Sequence, residues 1–211
     1  MGTKSWMLFF ADGDIGDALR SHPSLDRARS ESLVRELFPQ KQLEYLGEVN
    51  LAHAGPPRRE VYAGCFDGLS VVAAHRFGMD YPSKLPAHFL QARYGRNTYL
   101  FAAYSIVDWF AFAHWQDGKL QRSLSLSADG IKENLGERKA FEEAYWRGDH
   151  PVDTGDSEAY SLPFHPLDLA ECTAQQLFGF PLQAHVSANL IDPETVPLLA
   201  FRDSKAWWQF W

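Results

Sequence analysis

Twice in this 211-residue chain an Asp-Gly pair stands between two apolar runs: Asp67-Gly68 between residues 61–66 and 69–75, and Asp117-Gly118 between residues 108–115 and 120–127. Asp-Gly is a favoured two-residue hairpin turn, because both central positions take positive φ and the resulting twist matches that of the flanking strands. The chain is therefore committed to antiparallel pairing at two places, and a register can be counted outward from each turn. In the first hairpin, Phe66 falls opposite Leu69, Cys65 opposite Ser70 and Ala63 opposite Val72. Both faces are apolar, as expected of strands covered on both sides.

The same count applied to the second hairpin predicts two unlike faces. One sets Trp109, Ala111, Ala113 and Trp115 against Leu126, Leu124, Arg122 and Leu120. The other sets Asp108, Phe110, Phe112 and His114 against Ser127, Ser125, Ser123 and Gln121. Small polar residues beside large rings leave room, so Phe110, Phe112, His114, Ser123 and Ser125 form a candidate ligand groove. A helix filling that room is the plainer outcome. Asp108 and His114 share this face but stand about 20 Å apart at 3.3 Å per residue, too far for a catalytic pair. Asp108 opposite Ser127 reads as a hydrogen-bonded cross-strand pair.

Further strands are expected at 5–11, 42–50 and 98–104. A helix over 24–38 has Ser24 as its cap, an inward stripe of Leu33, Val34, Leu37 and Phe38, and Pro39 as its stop. A second over 83–94 has Ser83 as cap, Leu85, Phe89 and Leu90 inward, and Gly95 as its end. A third over 166–178 is opened by Pro166 and closed by Gly179. A short helix is expected over 139–147 and one turn at Asp192-Pro193-Glu194, which Pro197 keeps short. The fold class is α+β: a mostly antiparallel sheet of about six or seven strands with helices packed on its faces. With 15 Phe, 8 Tyr and 7 Trp, its core is expected to be aromatic. No linker or repeat divides residues 1–202, read as one domain, from which residues 203–211 extend as an aromatic tail.

The formal net charge of −7 argues against a nucleic-acid binder, which needs a basic stripe, and against an anionic membrane surface as partner. The apolar run of residues 6–11 is too short for a signal peptide, and Trp6 breaks the myristoylation pattern after Gly2. Residues 98–115 include Tyr104, Ser105, Asp108 and His114 and lead into a hairpin, which speaks against a membrane span. A cytoplasmic location is the default expectation. Cys65 and Cys172, 107 positions apart, suggest neither a disulfide framework nor a zinc pattern, and both read as buried apolar residues.

Asp12 and Asp14 are the sharpest chemical motif. An apolar strand ending in Asp-x-Asp is similar to the first motif of haloacid-dehalogenase-type phosphatases, in which one carboxylate attacks phosphorus, the other handles a proton and both help to hold magnesium. The Thr usual two residues after the second Asp is Gly16 here, and no downstream acidic pair is evident. A strand-to-loop turn, with Gly13 at positive φ and the Asp side chains capping N–H groups, accounts for the same residues and is preferred. The eight histidines show no helical metal spacing, the acidic segment 148–161 lacks the ordered calcium-loop pattern, and no nucleophile elbow or phosphate-binding glycine loop occurs. No cofactor is therefore expected.

The motif order Lys4-Ser-Trp-Met-Leu-Phe-Phe-Ala-Asp-Gly-Asp14, Val61-Tyr-Ala-Gly-Cys-Phe66, Val107-Asp-Trp-Phe-Ala-Phe-Ala113, Asp117-Gly-Lys-Leu-Gln-Arg-Ser-Leu-Ser-Leu-Ser127, Leu162-Pro-Phe-His-Pro-Leu167 and Asp192-Pro-Glu-Thr-Val-Pro197 resembles an uncharacterised bacterial, mainly actinobacterial, family of unknown function. The resemblance covers the chain to about Arg202 and implies a cytosolic single-domain protein, with no catalytic residues to carry over. The tail lies beyond it. Trp207, Trp208 and Trp211 there are costly to expose, so they are expected to pack on the domain or against a protein partner or second copy. Acidic charge, missing catalytic signatures and the aromatic tail together favour a non-catalytic protein- or ligand-binding module, of the kind an immunity protein exemplifies. Magnesium-dependent phosphate-ester hydrolysis through Asp12 and Asp14 is the alternative.

Overall fold

Both Asp-Gly hairpins form, and the rest of the sheet grows outward from them. The structure is a computed structural model, and it describes residues 2–91, 94–152, 161–183 and 186–204. Along these the strands are β1 (Lys4–Ala11), β2 (Leu43–Asn50), β3 (Glu60–Phe66), β4 (Leu69–Ala74), β5 (Asn97–Tyr104), β6 (Trp109–Gln116), β7 (Lys119–Ser127), β8 (Gly130–Gly136) and β9 (Pro197–Asp203). The helices are α1 (Ile15–Arg20), α2 (Arg27–Leu37), α3 (Glu143–Trp146) and α4 (Pro166–Phe178). All nine strands join one antiparallel sheet in the order β2-β9-β3-β4-β1-β5-β6-β7-β8. None of the described helices is long and apolar enough to cross a membrane.

The α+β class stands, but the expected six or seven strands become nine. The two additions are β8 and β9. Strand β8 (GIKENLG) has little apolar alternation, because it is a sheet edge with one partner. Strand β9 begins at a proline and sits between β2 and β3, far from its sequence neighbours, so no local pattern announces it.

The first hairpin pairs as counted, with Phe66↔Leu69, Cys65↔Ser70 and Ala63↔Val72, and β4 is buried along its whole length. The second does not. The register slips between Trp115 and His114, leaving Gln121 as an extra residue, so His114 faces Arg122, Ala113 faces Ser123, Phe112 faces Leu124 and Phe110 faces Leu126. One bulged residue moves every later side chain to the other face. The aromatic-and-serine face is therefore not formed: Phe110 and Phe112 share a core with Leu124 and Leu126, while Trp109, Ala111 and Ala113 lie in the opposite core. Asp108 takes a left-handed conformation before β6, and its carboxylate lies 3.5 Å from His165 Nε2, not against Ser127.

One sheet face is covered by α4, α1 and the 140–146 segment. Helix α4 forms as expected: Pro166 opens it, His165 Nδ1 accepts the Leu167 N–H, and Gly179 closes it at φ 77°. It buries Phe178, whose ring stacks on Phe9 at 4.3 Å. The other face is covered by α2, through Leu33, Val34 and Leu37. Its cap is Asp26, not Ser24, with Asp26 Oδ1 accepting the Arg29 N–H.

The helix expected over 83–94 is replaced by two 3-10 turns, Pro82–Lys84 and Ala87–Phe89. Leu85 precedes Pro86 and is held extended at φ −53°, ψ 127°, as proline demands of its predecessor. Tertiary contacts then hold the segment, since Glu133 accepts hydrogen bonds from the Ser83 N–H and hydroxyl. Cys65 is buried as expected, whereas Cys172 is only partly so.

Candidate functional site

Antiparallel pairing brings the start of β1, the ends of β4, β5 and β7 and the start of β6 to one end of the sheet. There Lys4 pairs with Tyr104, and Tyr104 with Trp109. Two positions further in, Trp6 faces Ala102, Ala102 faces Ala111 and Ala111 faces Ser125. A row of small residues beside Trp6 gives its indole space on the α2 face of the sheet. Its ring lies 5.7 Å from Tyr104, 5.9 Å from Trp109 and 5.8 Å from His75, all tilted. Gly78 completes the seat, since a Cβ there would stand 2.8 Å from Trp6 Cε3.

These rings wall a cavity of about 550 Å³, within the range of roughly 300–1,000 Å³ of small-molecule sites. Asp80, Val107, Ser127, Asp129 and Lys132 complete the lining, with Lys4 at its edge. Trp6 and Ser127 are each only 6% exposed, and Trp6 Nε1 and Ser127 Oγ, both closed to solvent, have no hydrogen-bond partner among the described residues. A buried polar atom left unpaired costs about 1–3 kcal/mol, so each is a local cost to the fold. The Trp109 indole, by contrast, donates to Ser125 Oγ at 3.3 Å. Burial, and then the nearby Arg58 and Lys4 cations, lower the His75 pKa, which keeps its imidazole neutral at neutral pH. Lys132 Nζ and Asp80 Oδ1 pair at 2.8 Å. A larger cavity of about 740 Å³ lies along Gly2, Lys4, Ala52 and Gly55, but it has no comparable cluster of rings.

The residues singled out by sequence are dispersed. Asp12 and Asp14 follow the far end of β1, about 25 Å from its start at 3.3 Å per residue. Both are exposed: Asp12 Oδ1 accepts the Arg96 N–H at 3.0 Å, and Asp14 Oδ1 caps α1 by accepting the Asp17 N–H at 2.8 Å. Capping is thus as expected, but Gly13 is not among the positive-φ glycines. Among the described residues no group of three or more His, Cys, Asp or Glu side chains has the placement of a metal site. Phe110 and Phe112 are core residues.

His114 lies in a buried polar cluster, stacked on Tyr99 at 4.4 Å. Ser123 donates to Glu133, and Ser125 alone of the candidate groove residues reaches the aromatic cavity, through Trp109. Trp207, Trp208 and Trp211 lie outside the described residues. Trp6, Tyr104 and Trp109 were legible as strand residues, and their one common signal is a large ring near a strand end. Only the strand order makes them neighbours.

Fold and cavity define an α+β domain built on a nine-stranded antiparallel sheet, with an aromatic pocket at one end of the sheet. The chain belongs to a family of unknown function, DUF6928, whose model matches residues 5–201. No curated protein and no solved structure matches it.

Proposed function

We propose that this protein is a non-catalytic binding module whose ligand is a small molecule held in the aromatic pocket of Trp6, Tyr104, Trp109 and His75. The observation that carries this reading is the cavity of about 550 Å³ itself, walled by these four rings, with Trp6 5.7 Å from Tyr104, 5.9 Å from Trp109 and 5.8 Å from His75. A ligand with a flat or apolar group has four aromatic rings to rest against.

Two other readings draw less support. A protein partner engaged through the aromatic tail rests on residues beyond Ser204, outside the described residues. Phosphate-ester hydrolysis rests on Asp12 and Asp14, each of which already spends a carboxylate oxygen on a backbone N–H and has no third carboxylate beside it among the described residues.

The test is a fragment screen read by the indole N–H resonances of the seven tryptophans. Ligands are expected to shift the Trp6 signal most. Ser127→Ala should stabilise the free protein by about 0.5–1 kcal/mol, because it removes a buried unpaired hydroxyl. Fragments that shift only resonances remote from the pocket would defeat the proposal.

A further inference from the structure

We infer that a second cavity, which shares His75 with the aromatic pocket, binds a phosphate monoester with a flat or apolar body, its phosphate held by Arg58 and Arg76. This does not rest on the aromatic pocket being a binding site.

Strand pairing makes the cavity. Val61 near the start of β3 lies opposite Ala74 at the end of β4. The residues around the start of β3 and just after β4 therefore meet at one end of the sheet. Arg58 and Glu60 come from the first group, His75 and Arg76 from the second. With Phe38, which ends α2, and Lys41 they bound about 490 Å³, within the range of small-molecule sites.

The charges carry the inference. Four charged side chains line the cavity: Lys41, Arg58, Glu60 and Arg76. Two are spent. Lys41 Nζ pairs with Asp203 Oδ2 at 3.1 Å. Glu60 takes Arg202 on one oxygen at 2.7 Å and the Tyr62 hydroxyl on the other at 2.8 Å. Arg58 and Arg76 have no carboxylate partner and no hydrogen-bond acceptor among the described residues. Burial and then the Arg58 charge lower the His75 pKa, which puts Arg58 beside the residue that precedes Arg76. The Arg76 guanidinium rests over the Phe89 ring at 4.7 Å and over Phe38 at 5.8 Å. A guanidinium stacked by its flat face keeps its N–H edges free, as donors in a fixed fork. In a chain of net charge −7, two neighbouring cations stand without a counter-charge.

Two unspent forks call for an acceptor with more than one negative charge and several oxygens. A phosphate monoester carries about −1.5 to −2 at pH 7 and accepts from a guanidinium two oxygens at a time. A carboxylate or a sulfate ester brings one charge, enough for one arginine. Bare phosphate leaves most of the cavity unfilled, and Phe38, Val61 and Ala74 offer apolar surface to the body of an ester.

The experiment is calorimetric titration of the full chain, at low salt and about pH 7.5, where the ester's second proton, with a pKa of about 6, is off. The probes are phenyl phosphate, phenyl sulfate, which has the same shape with one charge, and inorganic phosphate, which has no body. Phenyl phosphate is expected to bind, with each of the others about tenfold weaker or worse. Arg58→Gln and Arg76→Lys should each weaken phenyl phosphate by about tenfold or more; the second keeps a cation over Phe89 and removes only the fork. Thermal denaturation checks that both variants fold. Arg147→Gln, which removes the same charge elsewhere, should bind like the native protein. Arginine variants at the cavity that bind undiminished, phenyl sulfate binding as tightly as phenyl phosphate, equal loss in Arg147→Gln, or no binding by any probe would each overturn the inference. Neither Arg58 nor Arg76 lines the aromatic pocket, so these outcomes leave that reading to its own fragment screen.

Discussion

His114 shows how one side chain's surroundings set its chemistry. Lys139 Nζ lies 3.0 Å from His114 Nδ1, and Asn97 Oδ1 lies 3.1 Å from His114 Nε2. An ammonium group only donates, so Nδ1 accepts and the proton sits on Nε2, which donates to Asn97. Burial, and then the Lys139 charge, lower the pKa of this imidazole from 6.5 to about 4. A lowered folded-state value means that between pH 6.5 and 4 the unfolded chain takes up a proton that the native protein refuses. Stability contributed by neutral His114 is therefore complete above pH 6.5 and is lost as pH falls to about 4, by on the order of 2–3 kcal/mol. Urea denaturation across that window should show a steeper loss for the native sequence than for His114→Gln; parallel curves would refute this. That His114 points inward was legible from strand alternation, but its lysine neighbour comes from residue 139, beyond β8.

Among the elements, the second hairpin depends on a detail of one residue. Gln121 is the extra residue that reverses which face of β7 meets which core. Across from it, Gly136 sits at φ 78°, and a Cβ there would come 2.1 Å from the Gln121 carbonyl oxygen. Gly136→Ala must therefore either undo the bulge, and with it the faces of residues 122–127, or push β8 off the sheet. Both routes combine positive-φ strain with a backbone clash, so the cost should be at least about 3 kcal/mol, a melting temperature lower by roughly 6–12 °C. Thermal denaturation followed by circular dichroism checks it, and a variant melting within 2 °C or so of the native protein would sink it. Strand existence was legible here because alternation is local. The bulge was not, because it answers to the burial of Arg122 with a partner on another element.

At the scale of the whole molecule, that partner is Glu142. Arg122 and Glu142 are 0% and 1% exposed and meet in a two-pronged ion pair, Nε to Oε1 at 2.9 Å and Nη2 to Oε2 at 2.6 Å. Arg122 Nη1 also donates to Asn134 Oδ1 and to the Leu135 carbonyl, so one guanidinium ties β7, β8 and the 140–146 segment together. Arg122→Met alone leaves a buried, uncompensated carboxylate and should cost about 3–5 kcal/mol; adding Glu142→Leu should recover most of it. Urea titration of both variants decides, and a double variant no more stable than the single one would contradict the argument. Glu133, the inward charge on edge strand β8, does a related job: it latches Ser83 and makes the edge unattractive to another strand.

The sequence carried what local chemistry controls: two Asp-Gly turns, the first hairpin's register, the α2 stripe, the Pro166-to-Gly179 helix and the apolar centre of the sheet. Each depends on φ preferences or side-chain periodicity within a dozen residues. Tertiary structure alone decided that β9 inserts between β2 and β3, that Gln121 bulges, and that Trp6, Tyr104, Trp109 and Ser127 share one cavity. Those outcomes follow from burying an arginine, pairing a carboxylate and ordering strands distant in sequence, and no local window contains both partners of any of them.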